Sequence, residues 1–121
     1  MERFSFDADV AFTPSDELLE RVTIAPLSAP LSERSPFQAA VFRFAPGGRI
    51  ARHVPAGSQS QILAVLEGSG AVSGASGVEE PIAAGEAVFW QAGEEHELTS
   101  AEGLTALIIE GDGLEMFRRP V

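Results

Sequence analysis

Apolar and polar residues alternate along this chain in short runs, and glycine or proline interrupts almost every run before it reaches helical length. From Gln38 to Phe44, the side chains of Ala40, Phe42 and Phe44 share one face of a strand while Arg43 points the other way. Pro46-Gly47-Gly48 ends that strand. Arg49 to Val54 reads as a second strand, Pro55-Ala56-Gly57-Ser58 as a loop, and Gln61 to Glu67 as a third strand. Gly68-Ser69-Gly70 then turns the chain into Ala71-Val72-Ser73, and Gly74-Ala75-Ser76-Gly77 reads as a hairpin loop. Val78 to Ala83, Gly85 to Trp90, His96 to Thr99 and Leu104 to Glu110 complete the set. Short strands in regular succession with glycine turns predict an all-β sandwich or barrel.

The segment before Phe37 reads differently. Ser15 to Arg21 is the one candidate helix, with Thr13 as N-cap, Pro14 as first helical residue and Asp16 as acidic partner in the first turn. A helix that short depends on tertiary packing. Phe4, Phe6, Phe12 and the strand-like Arg21-Val22-Thr23-Ile24 make residues 1–36 an arm that packs on the barrel or on a second subunit, leaving residues 37–121 as the barrel. No linker or low-complexity segment divides the chain.

Composition narrows the partners. The 121 residues suit one domain able to bury roughly two-thirds of its unfolded surface. A net charge of −10 argues against nucleic acid or an anionic membrane surface, both of which need a basic face. All basic residues are arginine, and Arg118-Arg119 reads as a solvated end. Cysteine is absent, which removes disulfides, thiolate ligands and cysteine nucleophiles together. No apolar run approaches membrane-spanning length and no secretory leader is visible, so a cytoplasmic location is expected.

Candidate chemistry rests on the two histidines of the chain, His53 and His96. Gly47 precedes His53 by five intervening residues, and Gln61 precedes Gly68 by six. Gly85 is followed after five residues by Gln91-Ala92-Gly93, then Glu94-Glu95, then His96, and after three more residues Ser100. These spacings resemble the two motifs of the cupin superfamily, and the resemblance extends from about Phe37 to Glu110. It implies a single cupin barrel, or jelly roll, with at most one short helix. Against the family pattern, Pro55 stands for the second histidine of a His-x-His pair, Gln61 for a glutamate, Gln91 for a proline and Ser100 for an asparagine. The loop before Gln61 is also one residue longer than usual.

What the resemblance implies for the site follows strand parity. Residues at i and i+2 point to one side, so His53 is expected to share an inward face with Ala51 and Pro55, and Gln61 with Leu63 and Val65. His53, Gln61 and His96 form the candidate metal site, with Gln59 as the alternative to Gln61. Three such neutral donors would hold a divalent iron, manganese, nickel, zinc or copper ion weakly, with water completing the shell. Phe42, Phe44, Leu63, Val65, Trp90 and Leu98 are candidates to line a ligand pocket, although such residues more often form core. Glu94 and Glu95 read as solvated, and Glu97 as pointing away from His96.

Three functions remain open. The first is a small-molecule-binding cupin with a metal site, acting as an oxygenase or isomerase. The second is a metabolite sensor without metal, with both histidines as hydrogen-bonded core residues. The third is metal-free acid–base catalysis by His53 or His96. Family habit and the edge strands of such a barrel imply a homodimer.

Overall fold

The structure, a computed structural model, describes residues 1–117; Arg118 and Arg119 lie outside the described residues. Seven strands follow in order: β1 (Leu19–Pro26), β2 (Phe37–His53), β3 (Ser60–Ser73), β4 (Glu80–Ala83), β5 (Ala87–Trp90), β6 (His96–Ser100) and β7 (Leu104–Gly111). All pairings are antiparallel.

Two strands are long enough to serve both layers of the barrel. The first halves of β2 and β3 flank β7, with β1 and β5 outside them. Their second halves flank β6, with β4 outside β3. Pro46-Gly47-Gly48 and Gly68-Ser69-Gly70, expected as a strand end and a turn, are instead bends inside continuous strands that carry the chain from one layer to the other. The bend at Gly68 requires glycine on two counts. Its φ is +80°, and a Cβ there would stand 2.3 Å from the Gly103 carbonyl oxygen on the β6–β7 turn.

Period-two alternation fills the interior. Leu63 and Val65 on β3, Leu98 on β6, and Leu104, Ala106 and Ile108 on β7 are all buried in one core with Phe44 and Trp90. Phe42 packs against that core half-buried.

The expected helix at Ser15 to Arg21 does not form. The Asp16 carboxylate accepts a hydrogen bond from the Leu18 amide at 2.9 Å, turning the chain straight into β1. Pairing with β2 then buries Val22 and Ala25, a gain that one isolated helical turn cannot match. Arg21 sits at φ 52° where the register shifts, so β1 continues past it as a bulged strand. The one helical turn described is a 3-10 turn at Ala8–Val10, whose Asp9 amide is capped by Asp7. Residues 1–36 thus supply a strand of the barrel as well as an arm.

Candidate functional site at the barrel mouth

The glycine bends gather at one end of the barrel, and the far ends of the same strands converge at the other. There His53 on β2 pairs with His96 on β6, and Gln61 on β3 pairs with Trp90 on β5 and with Glu110 on β7.

His53 reaches this layer through a bulge. Ile50 pairs with Leu98, and His53 with His96, so β2 takes three steps where β6 takes two. His53 therefore lies in phase with buried Ile50 and not with Ala51, as simple alternation had implied. Arg52 beside it spans outward: its guanidinium donates to Glu95 at 2.9 Å, to the Ser73 hydroxyl at 3.0 Å and to the Gly74 carbonyl at 3.0 Å. This three-way clamp ties the end of β2 to β3 and holds the histidine segment in place. Glu95 is thus paired, and Glu94 accepts from the amides of Ala75 and Gln91, so neither glutamate is merely solvated.

The two imidazoles have one tautomer in common. His53 Nδ1 lies 2.8 Å from the Ala51 carbonyl oxygen, and His96 Nδ1 lies 2.9 Å from the Glu94 carbonyl oxygen. A carbonyl only accepts, so each Nδ1 carries a proton, and the neutral form of either ring keeps its lone pair on Nε2. Metal-ligating histidines are commonly oriented by such a bond. The rings meet edge to face at 4.6 Å, and the Trp90 indole stacks on His96 at 4.2 Å and 10°. His96 is 3% exposed, and burial pulls its pKa below 6.5, which favours the neutral ring.

A small cavity of about 30 Å³, room for about one water, is lined by Pro55, Ala56, Gln59, Gln61, Trp90, Gln91, His96 and Glu110. His53 is not in that lining and adjoins the cavity through His96. Both candidate amides, Gln59 and Gln61, face it. The Gln61 amide nitrogen lies 3.5 Å from Glu110 Oε2, and its carbonyl oxygen is buried without a partner. Of the residues considered for a ligand pocket, Phe44, Leu63, Val65 and Leu98 belong to the close-packed core, with Phe42 against it, whereas Trp90 borders open space.

Glu110 escaped the motif reading. It continues the inward row Leu104, Ala106, Ile108 by one more step of two, and that parity was the signal available. Burial raises its pKa above 4.5, opposed by the Gln61 hydrogen bond.

A second and larger space, a groove of about 320 Å³, lies away from the histidines along β4, β5 and the loop after β3.

These features define a small closed β-barrel with two histidines at its mouth. A family model for the cupin domain matches residues 40–110, and the chain belongs to that family. Among similar solved structures, the polyketide cyclase RemF from Streptomyces resistomycificus is 21% identical over 97% of this chain and 88% of its own, with a TM-score of 0.75. A cupin 2 conserved barrel domain protein from Salinispora arenicola is 20% identical, covering 93% of this chain and 90% of its own, with a TM-score of 0.71. A predicted oxalate decarboxylase from Thermotoga maritima is 24% identical, covering 74% of this chain and 79% of its own, with a TM-score of 0.67. No curated protein matches the chain.

The family implies a metal, and the donors here fit one only in reduced form. Among the described residues no three His, Cys, Asp or Glu side chains stand within reach of a single ion. What remains is two imidazole nitrogens and the orphaned Gln61 carbonyl oxygen, a neutral donor set acceptable to a divalent transition ion. No helix among the described residues is long and apolar enough to cross a membrane.

Proposed function

We propose that this chain is a small-molecule-binding cupin whose mouth takes a divalent transition ion on His53, His96 and Gln61. One observation carries the reading: two adjoining imidazoles each have Nδ1 tied to a backbone carbonyl, and His96 shares its cavity with a Gln61 amide oxygen that is buried without a partner. Leaving that oxygen unpaired costs about 1–3 kcal/mol, and a cation at the mouth would offset it.

The chain's own groups divide the work. Trp90 covers one face of His96 and keeps water from it. Glu110 accepts from the Gln61 amide nitrogen, which leaves the carbonyl oxygen of Gln61 as the group able to ligate an ion. It also supplies the one carboxylate in the cavity lining, standing across from the position where the family usually places a glutamate. An ion of this kind would polarise a substrate oxygen, the chemistry of an oxygenase or isomerase. The named activities of the similar structures, a polyketide cyclase and a predicted oxalate decarboxylase, differ from each other, so the shared barrel does not select the reaction.

Elemental analysis after incubation with Fe(II), Mn(II), Ni(II), Zn(II) and Cu(II) tests the reading. Stoichiometric metal in the wild type, lost in His53→Ala and His96→Ala, is the expected result. A wild type that stays metal-free with every ion sinks it and leaves His96 and Glu110, which share the cavity, as a metal-free acid–base pair.

The proposal includes a homodimer. Two uncharged outward rows, Ala39-Ile109-Ile62 and Leu107-Ala64-Ala87, cross the sheet of β2, β7, β3 and β5 on a chain of net charge −10. The arm beside them leaves Phe4 and Phe6 exposed, held through an Arg43 hydrogen bond to the Phe6 carbonyl. A second copy fits this uncharged face, because like-charged copies repel elsewhere. Light scattering should show a dimer that Ile62→Glu dissociates; a monomeric wild type would contradict it.

A further inference from the structure

The histidine cavity holds about one water, yet small-molecule sites in proteins usually span roughly 300–1,000 Å³. The groove of about 320 Å³ meets that requirement, and residues of β4 and β5, each of which pairs only with β3, help to line it. Its apolar wall is Val72, Val88, Phe89 and Trp90, and its rim includes Val78 and Glu80.

Two features keep this groove open. Glu94 accepts from the Ala75 amide at 3.1 Å and from the Gln91 amide at 3.0 Å, pinning the loop after β3 to the loop after β5. Gly74 lies between them, and a Cβ on it would stand 2.4 Å from Glu94 Oε2 and 3.8 Å from Trp90 Cδ1. A side chain at Gly74 would therefore intrude on the groove wall. Trp90 is shared by both spaces: it borders the groove, and its ring face stacks on His96. Its indole N–H donates to the Ser73 carbonyl at 3.2 Å, which fixes it as a partition.

The charge of the groove selects the ligand. Its charged lining residues are Glu80 and Glu94, both acidic, and the nearby cation Arg52 is committed to Glu95, Ser73 and Gly74. Neither ion pair among the described residues involves Glu80 or Glu94. We infer that the groove along β4 and β5 binds a compact organic cation, an apolar body carrying an ammonium or amidinium group, with Trp90 as the wall between it and the histidines. This rests on the reading of the chain as a small-molecule binder and is independent of whether the mouth holds metal.

Trp90 supplies the assay, because the chain has one tryptophan and no tyrosine. Titrate the full chain with phenethylammonium, 2-phenylethanol and phenylacetate while following tryptophan emission. The expected result is a saturable change with affinity falling in that order, from cation to neutral alcohol to anion. Glu80→Gln should weaken the cation about threefold to fivefold, the scale of an exposed ion pair, and Glu80→Arg should abolish its binding. Glu79→Gln, the same charge change one residue outside the lining, should leave it within about twofold. Absence of a saturable response, equal affinity for the three probes, or a response that depends on Glu110 but not Glu80 would overturn the inference. Metal content measured on the same samples reports separately on the mouth, so either reading can fail alone.

Discussion

The two ends of this barrel are built from the same strands and solved by opposite means. At the closed end, Gly48, Gly68, Gly70 and Gly103 let backbone approach backbone, and a Cβ on any of the four would stand under 3.0 Å from a neighbouring atom. At the mouth, each inward row ends in a polar or aromatic side chain: His53 and His96, Gln61, Trp90 and Glu110. Between them lies one apolar core. The contrast separates stability from function along a single axis, so substitutions at the two ends should have effects of different kinds.

The largest effect is expected at the closed end. Gly68→Val puts a branched side chain at φ +80° against the Gly103 carbonyl, and denaturant unfolding should show a loss of about 3 kcal/mol or more. One layer inward, Leu63→Ala empties a fully buried site and should cost about 2–5 kcal/mol by the same measurement. Stability near wild type in either variant would break the division between the ends.

At the mouth the order reverses. His53→Ala should abolish divalent-ion binding in a calorimetric titration while changing unfolding free energy by about 1 kcal/mol or less. A large loss of stability in this half-buried position would make His53 structural.

The smallest effect belongs to Glu110, and its sign is set by burial. Its pKa in the folded chain lies above the 4.5 of an exposed glutamate, so the folded state binds its proton more tightly than the unfolded state. The ionised group therefore destabilises the fold above the raised pKa, and that penalty disappears as pH falls through the raised value toward 4.5. Glu110→Gln should be slightly more stable than wild type at pH 7, with the difference vanishing in acid. His96 works oppositely: its pKa lies below 6.5, so protonation costs stability as pH falls from 6.5 through the lowered value. A thermal melt series from pH 4 to 8 on the wild type, Glu110→Gln and His96→Ala checks each sign.

Much of this molecule is legible in its sequence. Glycine punctuation marks the strands, and the spacings around Gly47, Gly68, Gly85 and His96 single out both histidines. What alternation alone cannot show is a change of phase: the bulge between Ile50 and His53 is set by pairing with Leu98 and His96 on β6, far along the chain. Gly68-Ser69-Gly70 has the composition of a turn and becomes a bend because β4 and β7 pair on either side of it. Asp16 suits a helix start and a strand-leading turn equally, and burial of Val22 decides between them. Glu110 belongs to no motif, yet it follows from the inward row of β7 once that strand is placed.

The central claim is that both imidazoles present Nε2 to one ion. Long-range 1H–15N correlation spectra of the two histidines, taken at neutral pH before and after one equivalent of Zn(II), test it directly. The account predicts the Nδ1–H tautomer for both rings, and a shift of both Nε2 resonances when the ion is added. An Nε2–H tautomer in either ring, or Nε2 resonances unmoved by the ion, would contradict it.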